Sequence, residues 1–184
     1  MMQQLNESGH YLAEVVNTVL DISKIESGTY KLQLENVNVY ALCQFVLKEV
    51  SDNVSEGVEL LFESRDISGS EAVGYMLHTD MQRLYFVLRA YLINACQHTH
   101  KGSIKFAFEV YLDKVVFSVT DTGDGLPLSV ASTIFDRKKW DVTKEDVGLS
   151  LYIVKLISDL LNGKVWVDTT YTHGARFVFE HPKV

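Results

Sequence analysis

The chain has 184 residues, a formal net charge of −7, and 47% hydrophobic and 22% charged residues, which are ordinary globular proportions. This length fits one compact domain with a short appendage, and the acidic charge argues against a nucleic-acid-binding role, because phosphate backbones attract chains rich in Lys and Arg. The two cysteines, Cys43 and Cys96, lie far apart and outside any ligand cluster, which argues against a disulfide framework and a zinc site.

The first 26 residues predict an amphipathic helix. Apolar residues recur there at steps of three and four, so they form one stripe along a helix. The stripe consists of Leu5, Leu12, Val15, Val19 and Ile22. Ser27 and Gly28 are typical of a helix end. Because a lone helix of this kind cannot bury its stripe, we expect it to pack against a partner helix.

From residue 28 onward, strand and helix patterns are mixed. Strands are predicted over residues 31–37, 58–62, 75–78, 104–111, 115–120, 164–169 and 176–180, and helices over 40–50, 80–98 and 148–161. A tight polar turn at Asp113 favours antiparallel pairing of the two strands around it. We therefore predict an α+β fold, a two-layer α/β sandwich.

The helix predicted over residues 80–98 contains an amide that suits a metal ion. Ala90, Asn94 and Gln97 are spaced four and three apart, so they share one face, roughly opposite to the apolar face. The carbonyl oxygen of an asparagine is a ligand that Mg²⁺ accepts. The alternative is an asparagine on a solvated helix face, which is the more frequent case for such a residue alone.

A turn with two glycines follows the strand predicted over residues 115–120. Asp121 ends this strand, and its carboxylate can accept a hydrogen bond from an amino group such as that of adenine. Gly123 and Gly125 would let the backbone approach a flat ring closely. The alternative is an Asp-Gly hairpin turn, but Leu126, Pro127 and a helical pattern follow instead of a partner strand.

A third group opens the helix predicted over residues 148–161. Gly148 and Leu149 stand at its start, where backbone N–H groups and the helix dipole suit phosphate. One glycine is weak support, because most helices that begin in this way bind nothing.

Taken together and in this order, the three groups resemble the nucleotide-binding domain of sensor histidine kinases, within the wider superfamily of gyrase, chaperone, mismatch-repair and kinase ATPases. The resemblance covers essentially the whole chain. Its most specific motif is the G1 box, DTGDGLP at residues 121–127. The N box is matched by Asp80, Arg83, Leu84, Asn94, Ala95 and Thr99, the F box by Ile134, Phe135 and Asp136, and the G2 box by residues 148–155.

The resemblance implies a role for each site residue. Asn94 would hold Mg²⁺ and, with Gln97, belong to the catalytic residues, while Asp121 would read the adenine amino group of ATP. A mobile lid over the phosphates would span residues 135–147. The other cofactor-binding residues that the resemblance implies are Gly123, Gly125, Leu126, Gly148, Leu149, Lys138 and Lys144.

The resemblance also implies a domain organisation and partners. Residues 1–27 resemble the second helix of a dimerisation and phosphoacceptor domain, and residues 28–184 resemble the ATP-binding catalytic domain, with a mixed, mostly antiparallel sheet covered by helices on one face. We expect transfer of the γ-phosphoryl group of ATP to a histidine on a helix outside this chain. The expected partners are that helix, a response-regulator receiver domain and a second copy of the protein. The protein is expected to be cytoplasmic, with any membrane attachment further upstream.

Two other functions compete with this one, and the first of them is discounted. An ATPase of the hydrolytic branch needs a carboxylate one helical turn before Asn94 to act as a base, and Ala90 stands there. A degenerate pseudokinase or interaction module with weak or no nucleotide binding is favoured by changes on the phosphate side. These are Ala90, Gln97, Asp146, Ser150 and Arg176, in place of the residues usual in the family.

Overall fold

A computed structural model describes residues 23–136 and 147–183. The chain divides into two compact units, Met1–Leu32 and Gln33–Val184. The predicted apolar stripe of residues 5–22 lies outside the described residues. In the first unit, residues 23–26 are helical and the helix ends where it was predicted to end. Gly28 stops it with a φ of +68°, a left-handed conformation that glycine adopts without strain.

The second unit mixes strands and helices in the predicted order. Its elements are β1 (Leu34–Asn38), α1 (Val39–Val50), β2 (Val58–Arg65), β3 (Met76–Asp80), α2 (Met81–His98), β4 (Gly102–Val110), β5 (Lys114–Asp121), α3 (Leu128–Ala131), α4 (Val147–Leu160), β6 (Lys164–Val167) and β7 (Arg176–Pro182). In the part of the chain that the structure describes, no helix has both the length and the apolar character needed to cross a bilayer.

Five strands form the main sheet in the order β2-β4-β5-β7-β6. The β2–β4 pair is parallel, and the other three pairs are antiparallel. Helices α2 and α4 pack on this sheet and on each other. The predicted α+β sandwich with a mixed, mostly antiparallel sheet is therefore confirmed. The separate antiparallel pair of β1 and β3 was not predicted.

The core lies between α2 and the sheet. Tyr91 of α2 is fully buried, and its hydroxyl donates a hydrogen bond to the carbonyl of Val178 on β7 at 3.1 Å. The start of α2 is fixed by Asp80, whose Oδ1 accepts from the backbone N–H of Arg83 at 3.1 Å. The same carboxylate accepts, through Oδ2, from the N–H of Gln33 at 2.9 Å. Helix α2 is thus held at its start and along its length, which fixes where its last turn lies.

A buried histidine links β7 to the two-stranded sheet of β1 and β3. His181 is 1% exposed, and its Nδ1 lies 2.6 Å from the carbonyl oxygen of Pro182. Because a carbonyl only accepts, Nδ1 carries the proton, and Nε2 accepts from the hydroxyl of Thr79, 2.8 Å away on β3. Burial lowers the pKa of His181. The folded chain therefore holds this side chain in the neutral form.

The free energy of unfolding is expected to fall as the pH drops below about 6.5, the ordinary pKa of histidine. The unfolded chain takes up a proton at His181 that the folded chain binds only at lower pH, so the loss is complete once the pH is below the lowered folded pKa. Urea unfolding of the wild type and of His181→Gln at about pH 7.5 and about pH 5.5 measures this loss.

The substitution His181→Gln should flatten the pH dependence. His100→Gln changes an exposed histidine and should leave the dependence as in the wild type. Equal pH dependence in the wild type and in His181→Gln would contradict the attribution of this stability loss to the buried, neutral His181.

Candidate nucleotide site

Asp121 closes β5 in the middle of the main sheet, as predicted. Its side chain is 1% exposed, and Oδ1 accepts two backbone hydrogen bonds, from Gly123 at 2.9 Å and from Ala175 at 3.2 Å. Oδ2 receives no hydrogen bond from the described residues. Burial raises the pKa of Asp121, while the two N–H donors and the nearby His98 oppose that rise. The carboxylate is therefore held in one orientation and has one oxygen available for a further donor.

The turn after Asp121 does not form a hairpin. Strand β5 pairs with β4 on one side and with β7 on the other, and the chain continues from the turn into α3. Gly125 has a φ of +71°, which favours glycine. The hairpin alternative is therefore wrong, and residues 122–127 are a surface turn at the end of a central strand.

Two segments pack tightly against this turn. A Cβ on Gly123 would lie 2.0 Å from the carbonyl oxygen of His98, the last residue of α2. A Cβ on Gly174, in the loop before β7, would lie 2.0 Å from the carbonyl oxygen of Asp121. The N–H of Asp124 also donates to the carbonyl of His98 at 3.3 Å. The turn is thus clamped between the end of α2 and the loop before β7.

Asn94 lies one helical turn before His98 on α2. It is only 8% exposed, so the alternative of a solvated helix face is wrong. The helical spacing suggested one buried face, but α2 is covered by α4 as well as by the sheet. The Asn94 amide makes no hydrogen bond with the described residues, which leaves its oxygen available as a ligand. Gln97, on the same helix, is exposed.

The remaining predicted site residues fall into two groups. Gly123, Gly125 and Leu126 lie in the turn after Asp121, together with that carboxylate. Gly148 and Leu149 lie in the first turn of α4, as predicted from their position at a helix start. Lys138 and Lys144 lie outside the described residues.

A cavity of about 440 Å³ lies beside the turn. Its lining residues are Asp124, Gly125, Leu126, Pro127, Leu128, Ala131, Val167, Asp168, Thr169, Tyr171, Thr172, Gly174 and Ala175. An apolar groove of about 640 Å³ is formed elsewhere by β1, α1 and the start of α2, with Phe45 60% exposed at its wall. That groove contains none of the predicted site residues.

Two contributors to the site were missed from the sequence. Ala175 supplies an N–H donor to the Asp121 carboxylate, and Thr122 bonds the turn to the start of β4. The available signals were Gly174, two residues before β7, and Gly102, the first residue of β4. Glycine at such a position indicates a close backbone approach, but the sequence does not show which segment approaches.

The residues present fit a nucleotide with a hard cation. Within residues 23–136 and 147–183 there is no group of three or more His, Cys, Asp or Glu that could hold a metal by itself. A cation held here would use the free amide oxygen of Asn94 together with water and phosphate oxygens, as Mg²⁺ commonly does. The open oxygen of Asp121 suits an amino group of the base.

Comparison with known proteins agrees with this chemistry. Residues 79–184 match the family described as histidine kinase-, DNA gyrase B-, and HSP90-like ATPase. Over 97% of its length the chain is 28% identical to the autoinducer 2 sensor kinase/phosphatase LuxQ of Vibrio cholerae, covering 21% of that protein. It is also 30% identical to the two-component system protein A of Emericella nidulans, over 88% of this chain and 25% of that protein. The chain thus spans only a fifth to a quarter of these relatives' length.

Solved structures show the same similarity. The crystal structure of full-length ShkA in complex with AMPPNP superposes with a TM-score of 0.82 at 28% identity, covering 99% of this chain and 38% of that chain. The catalytic domain of the histidine kinase ThkA gives a TM-score of 0.69 at 25% identity, covering 82% of this chain and 96% of that chain. Both similarities extend over most of this chain.

Gly123→Ala is expected to lower the free energy of unfolding by about 1–3 kcal/mol, the usual cost of forcing atoms into a packed site. The added methyl group would lie 2.0 Å from a backbone oxygen that belongs to a packed helix and cannot move freely. Urea unfolding measures the change. Gly74→Ala is the control, because nothing lies within 4 Å of its Cβ position. Equal stabilities for the two variants would contradict the clamped turn.

Proposed function

Because the chain belongs to the family of histidine kinase-, DNA gyrase B- and HSP90-like ATPases, we propose that Asp121 and Asn94 bind Mg²⁺-ATP for the phosphorylation of a histidine. The domain is the ATP-binding domain of a sensor histidine kinase, as its two-component relatives indicate. Phosphoryl transfer is the proposed activity of a longer protein, since the chain covers 21% of LuxQ. The observation that carries the proposal is the buried Asp121 carboxylate with one oxygen fixed and one open.

The fixed carboxylate explains how the site would select adenine. Oδ1 of Asp121 is occupied by the N–H groups of Gly123 and Ala175, so Oδ2 is the oxygen that would accept from a ligand. The amino group of adenine would donate to Oδ2 and satisfy a buried charge that is otherwise costly. Guanine carries an oxygen at the corresponding ring position, and two acceptors would then face each other. The carboxylate thus supports both binding and discrimination between bases.

On the phosphate side, Asn94 would offer its amide oxygen to the cation. Mg²⁺ held there would neutralise charge on the phosphates, on which phosphoryl transfer largely depends. The backbone N–H groups of Gly148 and Leu149, at the start of α4, would face the phosphates. Lys138 and Lys144 would contact the same charges from the lid, and Gln97 would act near the transferred group.

The same proposal extends to the partners. Residues 1–27 would form the second helix of a dimerisation domain, and their apolar stripe would pack in a four-helix bundle with a second copy. The acceptor histidine would lie on the other helix of that bundle, and a response-regulator receiver domain would take the phosphoryl group next. The homology to two-component proteins supports these partners.

The two other functions are weaker. Hydrolysis requires a base near Asn94 to activate water, and the Ala90 side chain one turn earlier cannot take a proton. An interaction module without catalysis gains no support from the relatives, which are named as kinases or two-component proteins.

Wild-type protein is expected to bind Mg²⁺-ADP, and Asp121→Asn to weaken this binding by at least about tenfold, because a charge-assisted hydrogen bond is lost. In the variant, the amide oxygen would take the two backbone N–H groups, and the amide NH₂ would then face the adenine amino group. Mg²⁺-IDP, whose base has an oxygen in place of that amino group, should lose less affinity than Mg²⁺-ADP. Isothermal titration measures both.

Asp113→Asn is the matched control, since this exposed aspartate lies in the β4–β5 turn at the other end of the strand, and its ADP affinity should equal that of the wild type. A wild-type protein that takes up neither ADP nor ATP would refute the proposed function.

Asn94→Ala is expected to remove the gain in ADP affinity that Mg²⁺ provides, while the affinity measured in EDTA stays close to the wild-type value. The reason is that only the cation contact of the amide oxygen is lost. Paired titrations with magnesium chloride and with EDTA make this comparison. Gln82→Ala, which changes an exposed side chain in the first turn of the same helix, should keep the magnesium effect. A full magnesium effect in Asn94→Ala would show that the cation is held elsewhere.

A further inference from the structure

We propose that Thr122 is a positioning residue that sets the orientation of the Asp121 carboxylate toward the nucleobase. This inference rests on the proposed nucleotide site and adds a residue to it. Thr122 follows Asp121 directly, and its Oγ1 accepts a hydrogen bond from the N–H of Ser103 at 2.9 Å. The hydroxyl proton has two acceptors within reach, the carbonyls of Lys101 at 3.3 Å and of Ser103 at 3.4 Å.

The backbone of Thr122 makes a second link to the same place. Its N–H donates to the carbonyl of Ser103 at 3.1 Å. Side chain and main chain of one residue therefore both bond to the first residues of β4. We call this set of contacts, made by Thr122 with Lys101, Gly102 and Ser103, the threonine latch.

Gly102 makes room for the latch. It has a φ of +99°, and a Cβ at this position would lie 2.1 Å from Oγ1 of Thr122. The hydroxyl thus occupies the space that a side chain at residue 102 would need. The two residues are sterically complementary, which indicates that the latch is part of the native packing and not a chance surface contact.

The latch connects the two sides of the proposed site, the base side with Asp121 and the cation side with Asn94. Strand β4 starts four residues after the last turn of α2, the helix that carries Asn94. Fixing Thr122 to this strand start therefore fixes Asp121 relative to Asn94. The N–H of Ala175 holds the same carboxylate from the β7 side. With the latch removed, the Gly123 and Ala175 bonds remain and the fold is kept, but the residue next to Asp121 is no longer tied through its side chain to β4. We therefore expect the carboxylate to shift relative to Asn94.

Orientation matters because a binding group must be held within about 0.5 Å of its productive position. The side chain of Thr122 is exposed, so its hydroxyl can be removed without opening a core cavity. A change at Thr122 is therefore expected to affect base discrimination more than stability. A loss of base discrimination without a loss of stability would distinguish a positioning role from a merely structural one.

The test compares Thr122→Val, which removes the hydroxyl, with Thr122→Ser, which keeps it. Each variant is titrated with Mg²⁺-ADP and Mg²⁺-IDP, and its urea midpoint is measured. We expect Thr122→Val to lose about five- to tenfold in ADP affinity, the effect of one or two hydrogen bonds. Its preference for ADP over IDP should fall, and Thr122→Ser should restore both.

Thr120→Val is the matched control, because Thr120 lies two residues earlier on β5 and its hydroxyl makes no hydrogen bond with the described residues. It should bind both nucleotides as the wild type does. If Thr122→Val does not fold, Thr122→Ala provides the same test with a smaller side chain.

Two results would overturn the proposal. The first is a Thr122→Val protein with wild-type affinity and wild-type base preference. The second is an equal loss for ADP and IDP together with a lowered urea midpoint, which would make the latch a general stabilising contact. Failure of the wild type to bind either nucleotide would instead refute the proposed function, and the positioning role with it.

Discussion

The contact between the last carbonyl of α2 and the turn after Asp121 is the constraint on which the site depends. It leaves no space for a side chain on residue 123 and places the turn directly against the helix end. Helix α2 is itself fixed by its buried face and by the Asp80 cap. Because the turn packs against the end of this helix, the position of the turn is fixed as well. The packing of the core thereby determines where the buried Asp121 carboxylate lies.

This arrangement accounts for a buried, incompletely satisfied acid. A carboxylate that is 1% exposed is costly unless it is hydrogen-bonded. Two backbone donors offset part of the cost, and burial still raises the pKa of Asp121. A ligand that brings a donor to the second oxygen would offset the rest of this cost, which is the role proposed for the amino group of the base.

Much of the site could be predicted because its signals are local. The position of Asp121 at a strand end follows from the apolar run before it, and Pro127 argued against a hairpin. The donor at Ala175 could not be predicted, since it comes from a segment 54 residues away that is brought close by the pairing of β5 with β7. The burial of Asn94 was missed because helical spacing identifies the most apolar face but does not reveal how many neighbours surround the helix. The parallel pairing of β2 with β4 has the same non-local origin.

The distant origin of the Ala175 donor has a consequence for synthesis of the protein. Two chain segments donate to the Asp121 carboxylate, the turn at Gly123 and the segment at Ala175, and the second of them leads into β7, which also separates β5 from β6 in the sheet. Since chains leave the ribosome from the N-terminus onward, α2 and β5 emerge well before the segment that completes the carboxylate's shell. The growing polypeptide therefore gains the second donor to the Asp121 carboxylate only after the segment before β7 has emerged, so a nucleotide site built on this carboxylate would be completed late in synthesis.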